Sequence, residues 1–450
     1  MVRATGIKPL QTAPIKSKTR QDMDLILHGA TLPDGRTGID IAVKGGKIAA
    51  VEAGIGASGA REIDVTGRLV TPPFVDSHFH MDTTLLYGYP RYNESGTLLE
   101  GIRLWAELKP SLKHDWYVER ALEYCDWAVG RGLLAIRSHV DTTDPALAGV
   151  AALIEVREQV KDYIDLQLVG FPQDGYLRSP VGVENMAKAL DMGVEVVGGI
   201  PHFERTMDEG DESVRQLCAL AAERGLRVDM HCDETDDPNS RHVETLAAET
   251  VRLGLEGRVT GSHLSAMHSM DNYYVSKLIP LMVEADMQVI ANPTANMLLM
   301  GRHDTYPKRR GMTRVKELMA AGLNVSFGQD SVMDPVGSMN TGDVLDVAHM
   351  AVHAGHLSGR DEIRACFQAV TENPARNLGL EGYGLDVGCN ADLVVLQASD
   401  PIEAIRLRPT RLHVIRRGKV IAESPPHTAK LDLPGRPAST EFVRSTQPPE

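Results

Sequence analysis

Histidine and acidic residues recur where apolar segments of the chain end, and side chains of these types could bind a metal ion. The first such segment ends in Asp76-Ser77-His78-Phe79-His80. Residues i and i+2 of a strand point to the same side, so His78 and His80 could bind one ion. Later segments end in His231-Cys232-Asp233-Glu234, Ser262-His263 and Gln329-Asp330. Imidazole nitrogens with one carboxylate suit Zn²⁺ or Fe²⁺, so the pattern predicts a metal centre.

The segment ends described above belong to a set of eight apolar segments that could form buried strands. They are Arg68–His80, Leu133–Asp141, Asp165–Gln173, Val194–Pro201, Arg227–Glu234, Arg258–Ser265, Met287–Thr294 and Asn324–Ser331. Stretches with helical periodicity lie between them, for example Asp208–Gly225 and Thr313–Gly322, each with glycine at the expected helix end. This alternation predicts an α/β fold, a (β/α)8 TIM barrel, whose active site would lie where the strands end. The alternative, an open doubly wound sheet, would favour a Gly-rich phosphate loop, and neither G-x-G-x-x-G nor a Walker A sequence is present.

The two ends of the chain have a β-strand pattern instead. Strands are predicted at Asp24–Leu32, Asp40–Lys44, Lys47–Glu52, Ala391–Leu396 and Leu412–Val420, with turns at Gly45-Gly46 and Gly418-Lys419 and a loop at Ala53–Ala60. Neither group is large enough to be stable alone, so we expect both to combine in one small β-sandwich domain. The predicted organisation is a flexible arm (1–22), the small β domain (23–70 plus 385–425), the barrel (71–384) and a flexible tail (434–450).

Composition restricts the classes of partner. Acidic residues outnumber basic residues 61 to 47 among 450 residues, a formal net charge of −14. This balance argues against a nucleic acid or an anionic membrane as partner, because both require basic surface. The first twenty residues contain no apolar segment of the kind found in secretory signals. The five cysteines include no C-x-x-C pair, which favours reduced thiols and a cytoplasmic location.

The complete pattern resembles the amidohydrolase superfamily: His-x-His after the first strand, histidines on strands 5 and 6, and aspartate on strand 8. Within that superfamily the chain is most similar to bacterial cytosine deaminases. The matching motifs are SGTLLEGIRLW, FPQDG, IPHFE, HCDET, SHLSAMHS and DTYPKRRG, within a match from about residue 24 to 425. The resemblance implies hydrolytic deamination of a cytosine-like nitrogen heterocycle with release of ammonia. It also implies a small-molecule substrate and a homo-oligomer.

The resemblance further implies a role for individual residues. One divalent ion, Fe²⁺ or Zn²⁺, would be held by His78, His80, His231 and Asp330. His263 would hydrogen-bond the attacking water, and Asp330 would accept its proton. Glu234 would pass a proton to a ring nitrogen, and Gln173 would hydrogen-bond the amide edge of the ring. Strand 4 ends without a lysine that could bridge two ions, which favours one metal.

Two positions depart from the cytosine deaminase pattern at the substrate. Ser331 stands where that family usually has a second aspartate, and Val336 stands where it usually has tryptophan. Losing these groups removes a charged hydrogen-bond acceptor and a stacking wall. The departures favour a larger or less polar ring, such as creatinine, isocytosine, ammelide or an N-alkylated triazine. Alternative reactions are release of an alkylamine, as from N-isopropylammelide, and opening of a cyclic amide; a non-catalytic binding barrel is the alternative of another class.

Other polar residues have less specific interpretations. Glu234 could be a solvated acid, and the aspartates crowding the same stretch would raise its pKa. His202 could line the pocket or lie in the loop layer. His349, His353 and His356 fit a packed helix face, and the basic cluster 308–310 fits a salt bridge within a loop or between subunits.

Overall fold

The computed structural model describes residues 22–444, so residues 1–21 of the predicted arm lie outside it. The N-terminal strands are β1 (Asp22–Ala30), β2 (Ile39–Lys44), β3 (Lys47–Glu52), β4 (Ser58–Asp64) and β5 (Leu69–Thr71). The first four pair in the order β3-β2-β1-β4, and Gly45 and Gly46 form the predicted turn with φ of 58° and 75°. Strand β4 extends into the predicted loop Ala53–Ala60, so that part of the prediction was wrong. Its side chains are mostly exposed, and therefore no buried face imposes an alternating pattern on its sequence.

Eight parallel strands form the barrel. They are β6 (Phe74–Phe79), β7 (Leu133–Asp141), β8 (Asp165–Phe171), β9 (Val196–Gly199), β10 (Arg227–Cys232), β11 (Val259–His263), β12 (Gln288–Ala291) and β13 (Asn324–Phe327). Each strand lies beside the preceding one in the chain. A bridge between Phe79 and Asp330 links the first strand to the segment after the last. The predicted (β/α)8 TIM barrel is therefore confirmed.

Helices alternate with these strands and continue beyond them. They are α1 (Leu98–Leu108), α2 (His114–Gly130), α3 (Ala148–Val160), α4 (Gly182–Asp191), α5 (Met207–Arg224), α6 (His242–Leu253), α7 (Asn272–Glu284), α8 (Pro293–Leu299), α9 (Val315–Ala320), α10 (Val344–Ala354), α11 (Arg360–Gln368), α12 (Glu372–Leu378) and α13 (Pro401–Leu407). Helix α5 ends at Gly225 in the left-handed conformation, as predicted. Among the described residues, no helix combines the length and apolar character needed to span a membrane.

The predicted first strand, Arg68–His80, is divided in two. Pro72 and Pro73 separate β5 from β6, because proline has no N–H to donate to a sheet. Strand β5 leaves the barrel and joins a sheet ordered β16-β15-β14-β5. The C-terminal strands are β14 (Leu393–Leu396), β15 (Arg411–Arg416), β16 (Lys419–Glu423), β17 (Ala429–Lys430) and β18 (Ser439–Thr440).

Strands from both chain ends share one apolar core, which contains Leu25 and Ile41 from the first sheet and Val395 and Ile415 from the second. The turn between β15 and β16 lies at Arg417-Gly418, one residue before its predicted position. Both residues have positive φ, 50° and 76°, which a two-residue turn of this type requires at its central positions.

The predicted tail is only partly described, and residues 445–450 lie outside the structure. Its described part contacts the rest of the molecule. Strand β18 pairs with β17, and Arg68 Nη1 lies 2.8 Å from Glu441 Oε2. These contacts attach residues 434–444 to the β sheets.

A fully buried ion pair crosses the barrel interior. The Arg137 guanidinium on β7 donates to Asp229 Oδ2 on β10 at 2.9 Å, to Gln167 on β8 at 2.8 Å and to Asn377 on α12 at 3.1 Å. Both charged side chains are 0% exposed. The pair therefore joins non-adjacent strands beneath the end of the barrel that carries the histidines.

We expect Arg137→Met to lower the free energy of unfolding by roughly 3–5 kcal/mol, because it leaves the Asp229 carboxylate buried without its cation. Urea denaturation followed by circular dichroism measures the loss. The matched control is Lys188→Met, which breaks the exposed pair with Glu184 and should leave the urea midpoint near that of the parent protein. Equal midpoints for both variants would contradict a stabilising role of the buried pair.

Candidate active site

Four side chains converge where strands β6, β10 and β13 end. His80 Nε2 lies 2.9 Å from His231 Nε2, and Asp330 Oδ1 lies 3.2 Å from His78 Nε2 and 3.4 Å from His80 Nε2. Each of the four residues offers one ligand atom, and all four atoms lie within 4.8 Å of one another. The structure thus brings the predicted ligands together.

Backbone hydrogen bonds hold the first and last of these strands at the cluster. The Asp330 N–H donates to His78 O at 2.9 Å, and the His80 N–H donates to Asp330 O at 2.7 Å. Asp330 itself has φ of 69°, a conformation that costs a residue other than glycine about 1–3 kcal/mol. This turn directs the carboxylate toward the histidines, so closure of the barrel and assembly of the cluster depend on the same residues.

The electrostatics of the cluster fit a divalent cation. Burial lowers the pKa of His231 well below its usual value and keeps the imidazole neutral, as a metal ligand must be. Burial acts to raise the pKa of Asp330, but hydrogen bonds from His78 and His80 outweigh it and hold that pKa well below its usual range. The facing His80 and His231 nitrogens, 2.9 Å apart, are stable neighbours only with a proton or a cation between them. Contacts of 2.9–3.4 Å match ligand atoms that share an ion at about 2.0–2.2 Å.

Glu234 and His263 form a second group beside the cluster. Glu234 Oε1 lies 3.1 Å from His263 Nδ1, and His263 Nε2 lies 4.0 Å from Asp330 Oδ1. Burial, followed by the charge of Asp330, raises the pKa of Glu234 well above its usual value. The expectation that the aspartates next to Glu234 in the sequence cause this rise was wrong, because burial has the largest effect and the charge that adds to it belongs to Asp330. The interpretation of Glu234 as a solvated acid was also wrong, since Glu234 is only 7% exposed.

Asp233 explains how Glu234 reaches the site. Its φ is 52°, so the chain turns sharply directly after β10. The Asp233 carboxylate accepts hydrogen bonds from Ser240 Oγ at 2.6 Å and from the N–H groups of His242 and Val243 at 3.1 Å and 2.9 Å, at the start of α6. These contacts secure the turn that points Glu234 toward the cluster.

An apolar slot opens above the cluster, with about 720 Å³ of space including its mouth. Its walls include Trp105, Phe171, Ile200, Leu298 and Val336. The three predicted substrate-binding residues, Gln173, Ser331 and Val336, all line it, as do Glu234 and Asp330. A mostly apolar slot with a few convergent polar groups suits a small organic ligand.

Helix α1 forms one wall of the slot and packs closely against the loop that carries Val336. A Cβ atom on Gly101 would lie 2.7 Å from Val336 Cα, so only glycine allows this approach. At the other end of the helix, Lys109 Nζ donates to Asp141 Oδ2 at 2.8 Å and to Asp174 Oδ2 at 3.0 Å. Trp105 Nε1 donates to the same Asp141 oxygen at 2.9 Å. This network fixes the indole wall relative to the ends of β7 and β8.

Several residues of the site were missed from the sequence. His139 on β7 is fully buried, and its ring centroid lies 4.2 Å from that of His78. Asn296 on α8 contacts both Glu234 and His263. The sequence did contain a signal for the apolar wall of the slot. Leu98, Ile102 and Trp105 have the spacing of one helix face, within a motif already identified by resemblance.

The remaining predictions for polar residues had mixed outcomes. His202 is mostly buried in a 3-10 turn and does not line the slot. His353 and His356 are exposed, so the packed helix face was wrong for them; the buried face of α10 consists of aliphatic residues. Arg309 pairs with Asp304 at 2.7 Å, which confirms the salt bridge within a loop.

Comparison with known proteins places this site in a family. The sequence pattern described as the Amidohydrolase family matches residues 61–423. N-isopropylammelide isopropyl amidohydrolase of Pseudomonas sp. (strain ADP) is 30% identical over 90% of this chain and 98% of its own length. Pterin deaminase of Rhizobium rhizogenes (strain K84 / ATCC BAA-868) is 30% identical over 90% of this chain and 96% of its own length.

The crystal structure of 5-methylcytosine deaminase from Klebsiella pneumoniae, liganded with 5-fluorocytosine, is similar in both fold and sequence. It is 42% identical with a TM-score of 0.88, over 91% of this chain and 100% of that chain. These matches confirm the resemblance to cytosine deaminase-like proteins. The chain belongs to the amidohydrolase family and is a hydrolase that acts on carbon–nitrogen bonds other than peptide bonds.

Proposed function

We propose that this protein is a metal-dependent aminohydrolase that removes the exocyclic amino group of a cytosine-like ring, preferentially one with a substituent at C5. The main support for the proposal is that the ligand cluster, Glu234 and Gln173 all lie at one apolar slot. The similarity to a 5-methylcytosine deaminase supports the choice of ring. Val336 in place of the expected tryptophan leaves space beside the ring for a substituent.

Each polar residue has a defined task in this reaction. His78, His80, His231 and Asp330 would hold the ion, which lowers the pKa of a water molecule from 15.7 toward about 7. Asp330 takes a proton from the attacking water as the new carbon–oxygen bond forms at the amino-bearing carbon. Glu234 delivers a proton to the adjacent ring nitrogen and relieves the negative charge that develops there. The proton held by Asp330 then passes to the amino group, the carbon–nitrogen bond breaks and ammonia leaves, while the hydroxyl proton of the intermediate returns to Glu234.

Two further residues act on the water and the ring. His263 hydrogen-bonds the attacking water, and Gln173 hydrogen-bonds the amide edge of the ring. The apolar walls exclude bulk water, which strengthens these polar contacts. The proposal includes one Zn²⁺ or Fe²⁺ per chain and a homo-oligomeric state, which elemental analysis and light scattering measure.

The experiment is identification of the amine released by the purified, metal-loaded protein. The ring panel is 5-methylcytosine, cytosine, isocytosine, creatinine, ammelide, pterin and N-isopropylammelide. We expect ammonia, with 5-methylcytosine turned over most efficiently and turnover by Glu234→Gln reduced by about 10²-fold or more. Isopropylamine as the only product would favour the second candidate, alkylamine release, which the 30% identical isopropyl amidohydrolase supports. A protein with bound metal that releases no amine from any ring would contradict the proposal.

Val336→Trp tests the substituent space. The indole would fill the slot opposite Gly101, so we expect the preference for 5-methylcytosine over cytosine to fall by about ten-fold or more. A methyl-sized change in an apolar pocket typically alters discrimination by about 10–200-fold. The measurement is the ratio of kcat/KM for the two rings, with Val387→Trp, at an exposed position, as the control. An unchanged ratio in Val336→Trp would show that the C5 substituent does not lie beside residue 336.

A further inference from the structure

Asn296 lies at the centre of the polar group that carries Glu234 and His263. Its side-chain nitrogen Nδ2 is 3.3 Å from Glu234 Oε1 and 3.0 Å from His263 Nδ1. Those two atoms are 3.1 Å from each other, so the three polar atoms form a compact triangle. Asn296 is 1% exposed, which excludes bulk water as a competing partner.

The Asn296 amide links the other two members of this triangle. An amide nitrogen carries two hydrogens and accepts none, so Nδ2 donates to both of its neighbours. A second asparagine, Asn292, lies 3.3 Å from both ring nitrogens of His263. Nε2 is the nitrogen that faces the ligand cluster, 4.0 Å from Asp330 Oδ1.

The backbone around Asn296 is held independently of any substrate. The Asn296 N–H donates to Asn292 O at 2.8 Å, and Asn296 O accepts from the Met300 N–H at 2.9 Å. A Cβ atom on Gly311 would lie 2.6 Å from Asn296 O, so the loop containing Gly311 packs directly on α8. A rigid support of this kind fixes a side chain within the tolerance that a catalytic group needs.

We propose that Asn296 is a positioning residue for proton transfer: its amide holds the Glu234 carboxyl group and the His263 ring in the orientation that the proposed reaction uses. The inference rests on the proposed function of this site. It adds a residue that would contact neither the metal ion nor the substrate. Asn296 therefore acts on turnover through Glu234 and His263.

Kinetics of Asn296→Ala and Asn296→Asp test the role. Asp keeps the shape of the side chain but removes the amide donor, so both variants should lose about ten-fold or more in kcat. KM should change by less than about three-fold, and metal content should stay unchanged. The matched control is Asn324→Ala, a buried asparagine that donates to Gln288 at the opposite end of the barrel. Full activity of Asn296→Asp would overturn the proposal.

A double-mutant cycle separates positioning from a general structural role. In the Glu234→Gln background, Asn296→Ala should lower the residual rate by less than about two-fold, because residues that act as a unit are strongly non-additive. Losses that multiply would show that Asn296 acts independently of Glu234, and would overturn the proposal.

An infrared measurement tests the contact without any substrate. The difference spectrum between the parent protein and Glu234→Gln isolates the carboxyl band of Glu234. That band should shift in Asn296→Ala and Asn296→Asp but not in Asn324→Ala. A shifted band in a protein that deaminates no ring would refute only the proposed function, and an unshifted band would refute the role of Asn296.

Discussion

Asp330→Asn should lower kcat/KM by about 10⁴-fold or more, the largest loss that we expect from a single isosteric change. In the proposed reaction Asp330 is both an anionic ligand of the ion and the acceptor for the proton of the attacking water, and the substitution would remove both effects, each worth several kcal/mol. The local geometry should persist, because the backbone hydrogen bonds between Asp330 and the strand of His78 do not involve the carboxylate. The measurement is ammonia release together with metal analysis of the same samples.

The matched control is Asp392→Asn, a buried carboxylate that pairs with Arg416 at 3.0 Å in the C-terminal sheet. This variant should retain both metal and turnover, even where it lowers thermal stability. An Asp330→Asn protein with a full complement of metal and parental activity would contradict the assignment of Asp330 to both tasks.

Glu234→Gln should lower kcat by roughly 10²–10⁴-fold while the protein still binds one ion per chain. Glutamine keeps the size of the side chain but cannot deliver a proton to the ring nitrogen. Glu234 is not among the four cluster residues whose ligand atoms converge, so metal content should not change. Steady-state kinetics and elemental analysis on one preparation separate the two effects.

Glu403→Gln is the matched control for this variant, since Glu403 is equally buried but pairs with Arg406 at 2.6 Å far from the slot. Its kcat should equal that of the parent protein. If Glu234→Gln instead lost its metal, Glu234 would belong to the coordination sphere. Its proposed role as a proton carrier outside the set of ligands would then be wrong.

The ligand cluster could be predicted because each of its residues lies where an apolar segment ends. Barrel topology alone then brings His78, His231 and Asp330 to one end of the molecule. The division of the first predicted strand could also have been anticipated, since Pro72-Pro73 interrupts any sheet hydrogen bonding there.

The supporting residues could not be found in this way. Asn296 belongs to a short helix after β12, and its importance arises only from where α8 lies relative to Glu234 and His263. His139 lies within β7, where no sequence pattern marks it as a site residue. Only the folded barrel places its ring against that of His78. The pKa of Glu234 was predicted in the correct direction for the wrong reason, because burial is a tertiary property.

The most direct test of metal-dependent deamination is a titration of the metal-free protein with Zn²⁺ or Fe²⁺ in the presence of 5-methylcytosine, followed by ammonia release. We expect no ammonia before addition of metal, a linear rise in rate, and a break at one equivalent per chain. Ammonia release without metal, or a break at two equivalents, would contradict a single ion held by His78, His80, His231 and Asp330.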